Sequence, residues 1–178
     1  MTCLFELSIA LLIALLNGFF VMAEYSLVRI RKSRLDELIR QGKSRANTVL
    51  KMSEKLDTYL SATQLGITAS SLLLGWFGGP LLAEMFRGMF GVSAGTWYDH
   101  SLVFACAFLI IVFLHVVFGE LVPRTIALGK VEQVAMAVAY PLVFFHYLLY
   151  PLVVLFNRIS HAVLCLLGVD PVPDEDIS

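Results

Sequence analysis

The chain has 178 residues and a formal net charge of −1; 58% of it is hydrophobic, and its mean hydropathy is +0.81. So apolar a composition excludes an ordinary soluble domain. Runs close to the roughly 20 apolar residues that cross a hydrocarbon core make this an all-α integral membrane protein.

The first run, Leu4 to Val28, is too long for the apolar region of a secretory leader and has no basic residue before it, so it reads as a retained span at about 4–28. Nine of the thirteen basic residues follow between Arg29 and Lys55, against three acids, Asp36, Glu37 and Glu54. By the positive-inside rule this segment is cytoplasmic and the N-terminus lies outside. Within about 32–56, the spacing of Leu35, Leu38 and Ile39, then of Ala46, Val49 and Leu50, predicts two short surface helices separated at Gly42, the first starting at Ser33. Both signs of charge are interspersed there, so the run reads as a solvated, topology-setting face rather than a head-group or nucleic-acid patch.

A second span, about 57–78, should lead into an external loop, Gly79 to His100, whose one basic residue is Arg87. A third, about 101–119, returns the chain to the cytoplasm at Arg124 and Lys130. The stretch Val131 to Val169 is interrupted by Pro141 and Pro151 and rich in aromatics; it fits either a fourth span or broken helices lying along the cytoplasmic leaflet. Residues 1–169 thus form a transmembrane domain, and the acidic, Pro-containing 170–178 reads as the start of a linker to a further module. Cys3, Cys106 and Cys165 lack metal-site spacing and read as small packing residues.

Glu120 is the residue of most chemical interest. It sits in Gly119-Glu120-Leu121-Val122-Pro123, directly after the uncharged run from Ser101. A carboxylate near bilayer depth costs several kcal/mol unless it faces a cavity, a partner or a cation, which makes it a functional-site hypothesis by default. Pro123 cannot donate to the Gly119 carbonyl, so the helix is expected to break or bulge and free carbonyl oxygens beside the acid. Freed carbonyls with a carboxylate suit a hard cation.

Other spans carry oxygen donors too. Ser61, Gln64, Thr68, Ser71 and Gly75 fall at steps of 3 and 4 residues on one face of the second span, flanked by Ser70, and Asn17 and Glu24 share a face of the first. Ordinary helix packing by small polar residues is the competing account of the stripe. For Glu24 the competing account is a snorkelling carboxylate paired with Arg29 or Arg31. His115 reads as a satisfied structural histidine, and no nucleophile–base pair or phosphate loop points to an enzyme.

Four ordered motifs carry a resemblance: Asn17-Gly18-Phe19-Phe20-Val21-Met22-Ala23-Glu24, Arg31-Lys32-Ser33-Arg34-Leu35, Leu60-Ser61-Ala62-Thr63-Gln64-Leu65-Gly66-Ile67-Thr68, and Phe118-Gly119-Glu120-Leu121-Val122-Pro123-Arg124-Thr125-Ile126-Ala127. The chain resembles the transmembrane domain of the CorC and cyclin M family over nearly its whole length. That resemblance implies a dimeric magnesium transporter, exporting Mg2+ by using an inward Na+ gradient, with three spanning helices per protomer, juxtamembrane helices, a belt-like helix at about 131–168, and a cytoplasmic ATP-binding CBS module. A cytoplasmic module requires an odd number of crossings from an outside N-terminus, so the resemblance makes 131–169 re-entrant or interfacial in a multi-pass cell-membrane protein. It implies a metal site at Glu120 with the Gly119 carbonyl, at Asn17, Glu24 and Ser26 of the first helix, and at Thr68, Ser70 and Ser71 of the second. The chain departs from some members at Val21 and from many at Ile67 and Ser71. A membrane-embedded cation sensor or scaffold that moves nothing is the alternative function.

Overall fold

Helix is the backbone solution that satisfies every N–H and C=O inside a segment, which an apolar chain in lipid requires. The computed structural model describes residues 2–90 and 97–168, and its described elements are helical. They are α1 (Thr2–Arg29), α2 (Lys32–Arg40), α3 (Ser44–Glu54), α4 (Leu56–Phe90), α5 (Trp97–Leu114), a π-helical segment (His115–Leu121), α6 (Val122–Gly129) and α7 (Val131–Leu166). The expected linker at 170–178 lies outside the described residues.

α1 is central, packed against α4, α7, α6 and the π segment. Its buried positions, Ile13, Asn17, Phe20, Val21, Ala23, Ser26 and Leu27, surround much of the helix rather than forming one stripe, as a helix enclosed by several neighbours demands. The closest approach is to α4: a Cβ at Gly66 would lie 2.6 Å from the Phe20 ring. Only the missing side chain leaves room for that ring. Phe20 in turn packs edge-on against Phe19 and Phe145 of α7.

The two short surface helices form as their spacing predicts. Leu35 and Leu38 of α2 and Ala46, Val49 and Met52 of α3 are buried against Leu27 of α1 and Val134, Val138 and Leu142 of α7. Gly42 between them takes φ +80°, a conformation other residues resist. α2 starts one residue before Ser33, at Lys32, with Arg31 at the N-cap and no side-chain cap. Arg34 Nε donates to Glu132 Oε1 at 2.6 Å, tying α2 to the first turn of α7, and Arg34 also pairs with Glu37.

Two expectations need correction. α4 does not end near Gly78 but continues through Gly79 and Pro80 to Phe90, and α5 begins at Trp97, so of the expected external loop only 91–96 is not assigned to a helix, and those residues lie outside the described set. Pro80 removes one intrahelical donor, and the following Leu81, Leu82, Ala83, Glu84 and Met85 are good helix formers that carry the helix on. Likewise α7 is not broken at its prolines; it runs unbroken through Pro141 and Pro151. Each proline costs one backbone bond, and the flanking turns hold the rest.

Among the described residues three segments are long and apolar enough to cross a membrane: Ser8–Arg29, Phe108–Gly129 and Val131–Leu166. By length and composition α7 meets this criterion. Large apolar side chains stand exposed on the protomer along α5, the π segment and α7, among them Phe113, Phe118, Phe144 and Tyr147. Lipid or a second copy can cover them.

Candidate functional site: a polar cleft between three helices

The Gly-Glu-x-x-Pro sequence yields a bulge rather than a break. From His115 to Leu121 the chain winds as a π-helix, with the Val122 N–H donating to the Val117 carbonyl, and α6 then takes Pro123 in its first turn, where its missing donor costs least. The Gly119 carbonyl, which Pro123 cannot satisfy in the α pattern, accepts instead from Asn17 Nδ2 at 2.9 Å. A glycine is needed at this position. A Cβ at Gly119 would stand 2.9 Å from His115 Nδ1 and 3.1 Å from Asn17 Nδ2.

Asn17 is buried at 1% exposure, and its Oδ1 lies 3.4 Å from the Ser71 hydroxyl of α4. That hydroxyl also donates to the Ile67 carbonyl at 2.8 Å and meets His115 Nε2 at 3.1 Å. With one hydrogen and two lone pairs, Ser71 cannot donate to all three; it joins α1, α4 and the π segment at one point. His115 Nδ1 is buried with no hydrogen-bond partner.

Around this junction opens a cleft of about 300 Å3 lined by Asn17, Val21, Glu24 and Tyr25 of α1, Gln64, Ile67, Thr68 and Ser71 of α4, and His115 and Glu120 of the π segment. The two acids come from different helices and line the same cleft. Among the described residues neither has an ion-pair partner, so Glu24 is not held by Arg29 or Arg31. The guanidinium of Arg124 instead lies over the Tyr25 ring, 4.6 Å from its centroid. Two carboxylates without a counter-ion, with amide, hydroxyl and imidazole groups beside them, form a cation-attracting surface. Glu120 is exposed on the isolated protomer and Glu24 half-buried. Among the described residues no three His, Cys, Asp or Glu side chains group tightly enough to hold a metal ion alone, so a cation here would depend on neutral oxygens or water to fill its shell.

Of the residues singled out in the sequence, Asn17, Glu24, Thr68, Ser71 and Glu120 line the cleft, and the Gly119 carbonyl is bound to its Asn17. Ser26 and Ser70 do not line it. Ser26 is fully buried and donates to the Ala23 carbonyl at 3.1 Å, while Ser70, 2% exposed, donates to Gly66 at 2.7 Å. Helical phase explains both: Ser70 is two residues from Thr68 and Ser26 two from Glu24, which turns each away from the face its neighbour presents. Gln64, placed on the polar stripe but not in the expected metal site, and His115, expected to be a satisfied structural histidine but with Nδ1 unpartnered, also line the cleft. Gln64 is four residues before Thr68 and was legible on the stripe. His115 is five before Glu120, a spacing that an α-helix separates and a π-helix, bonded i to i+5, brings to one side.

The chain matches the model of the cyclin M transmembrane N-terminal domain over residues 7–178. It is 40% identical over 169 residues to the UPF0053 protein YhdT of Bacillus subtilis, covering 94% of this chain and 36% of that protein. It is 38% identical over 170 residues to Rv1841c of Mycobacterium tuberculosis, covering 96% of this chain and 48% of that protein. With the UPF0053 protein sll0260 of Synechocystis it shares 33% identity over 178 residues, covering 97% of this chain and 40% of that protein. The chain therefore spans less than half the length of these curated relatives. A match that runs nearly end to end, through the Gly119-Glu120 bulge and the α1 and α4 faces that meet it, leaves one conclusion: the chain belongs to the cyclin M transmembrane domain family, a membrane-domain family associated with metal-ion transport.

Proposed function

We propose that this chain is the membrane domain of a magnesium transporter that exports Mg2+ from the cell, driven by an inward Na+ gradient. The observation that carries the reading is the pair of carboxylates, Glu24 and Glu120, brought from two helices to one cleft beside Asn17, Thr68 and Ser71 with no ion-pair partner among the described residues. Like charges lining one cleft repel. A divalent cation relieves that repulsion, as a single sodium ion does only in part. Mg2+ takes six oxygens at about 2.0–2.1 Å and keeps several waters, so two carboxylates with a few neutral oxygens in an open cleft suit an ion that must also leave. The π segment lets Glu120 and the Gly119 carbonyl sit together at a place where helical bonding is already rearranged, the kind of discontinuity at which transporters bind ions. Sodium would use the neutral oxygens of the same cleft once Mg2+ has gone.

The protein works, in this reading, as a homodimer in the cell membrane, with the N-terminus outside, the C-terminus in the cytoplasm, and a cytoplasmic ATP-binding CBS module following the chain. The exposed apolar faces along α5 and the π segment supply surface for a self-complementary contact. Calorimetry tests the site: Glu120→Gln keeps size and removes charge, and should abolish Mg2+ binding. Reporter-dye flux into proteoliposomes, with and without a sodium gradient, tests transport. Unchanged affinity in the Gln variant refutes the site, while binding without flux refutes transport and leaves a cation sensor.

A further inference from the structure

A second pocket, of about 500 Å3, lies at the elbow where α1 passes into α2, lined by Arg29, Arg31, Ser33, Arg34, Glu37 and Glu132 among others. The two acids of this pocket are both engaged by Arg34. Among the described residues the side chains of Arg29 and Arg31 have no hydrogen-bond or ion-pair partner. An arginine fork left open beside a pocket of this size fits the oxygens of a phosphate, which it can bind through two parallel N–H bonds.

The position of the pocket selects the phosphate. α1 has the length and composition of a membrane span over Ser8–Arg29, and its apolar run gives way to basic residues at Arg29, as at the level of phospholipid head groups. Arg29 and Arg31 therefore stand at the level of lipid phosphates, while the exposed apolar side chain of Val28, one residue earlier, is placed to meet acyl chains. The Arg34–Glu132 contact closes the far wall by joining α2 to α7. We propose that this pocket binds the phosphate head group of an anionic phospholipid, with Arg29 and Arg31 as its ligands. The site is separate from the polar cleft and independent of what that cleft transports. It revises the reading of the basic run: most of the run is a solvated face, but two of its arginines belong to a built recess.

The test uses the intact protein in a neutral detergent, titrated with short-chain phosphatidylglycerol, short-chain phosphatidylcholine and inorganic phosphate, with binding read by native mass spectrometry and thermal shift. Phosphatidylglycerol should bind at least tenfold more tightly than phosphatidylcholine. The double variant Arg29→Gln/Arg31→Gln should lose at least that tenfold, and Arg40→Gln/Lys51→Gln, which removes the same charge outside the pocket, should change binding by less than twofold. Ser33→Glu places a carboxylate in the pocket without removing an arginine and should weaken binding as well, which keeps the test decisive if the double variant does not fold. Equal losses in both double variants would reduce the effect to general surface charge and overturn the site. Lack of preference for phosphatidylglycerol overturns it too. Inorganic phosphate binding as tightly as phosphatidylglycerol, with the same arginine dependence, overturns the lipid assignment in favour of free phosphate.

Discussion

Replacing Asn17 with Leu removes the clamp on the π segment while nearly keeping side-chain shape, so the loss of stability comes from the missing amide and not from a cavity. The substitution deletes the 2.9 Å bond to the Gly119 carbonyl and the longer contact to Ser71. Gly119 is buried, and Pro123 has no N–H to offer its carbonyl. A buried polar group left without its partner costs about 1–3 kcal/mol. For a chain of this length that corresponds to a fall of roughly 2–12 °C in melting temperature. Thermal unfolding in detergent measures the shift, and hydrogen exchange should show the loss of protection concentrated in His115–Leu121. A change within measurement error, with exchange in that segment unaltered, would refute the role given to Asn17, because the Gly119 carbonyl must then be satisfied in another way.

Gly66→Ala should destabilise by about 1–3 kcal/mol through overpacking, since its Cβ would meet the Phe20 ring at 2.6 Å; in a Phe20→Ala background the same change should cost nothing, and additive melting shifts would count against the close approach. Thr68→Trp or Ser71→Trp should block Mg2+ binding by filling the cleft, whereas Ser70→Ala, whose hydroxyl is spent on Gly66, should leave it unaltered; calorimetry on all three decides whether the cleft or the whole polar stripe matters. Single cysteines at Ser44, Ser93 and Ser178, in a background without the native three, should react with an impermeant reagent from outside only at position 93. Labelling at position 178 would mean that α7, which has the length and composition of a span, does cross, and would reverse the proposed placement of the C-terminus.

Membrane class and most of the polar residues that line the cleft were legible in the sequence because both depend on local quantities. Apolar run length sets the membrane class, the Gly119-Glu120-x-x-Pro123 order marks a helix irregularity, and the steps of Gln64, Thr68 and Ser71 fix a common face whatever that face meets. The two short helices at Lys32–Arg40 and Ser44–Glu54 were legible for the same reason, since their apolar periods and Gly42 are written within a few residues.

What the sequence left open depended on partners distant in the chain. Whether Pro123 breaks or bulges a helix is settled by Asn17, 102 residues from the carbonyl it binds, and that choice in turn carries His115 round to Ser71 and into the cleft. Glu24 faced a choice between nearby arginines and open space, and only the packing of α4 and the π segment on α1 places it opposite Glu120. Ser26 and Ser70 have the right chemistry on the wrong faces, each returned to a carbonyl of its own helix. A proline reads as an interruption one residue at a time, but α4 and α7 continue through theirs because the backbone bonds on either side outweigh the one that is lost. Residue type and period fix which side chains are able to bind a cation; only tertiary packing, by setting helix phase and occupying or freeing each oxygen, decides which of them meet.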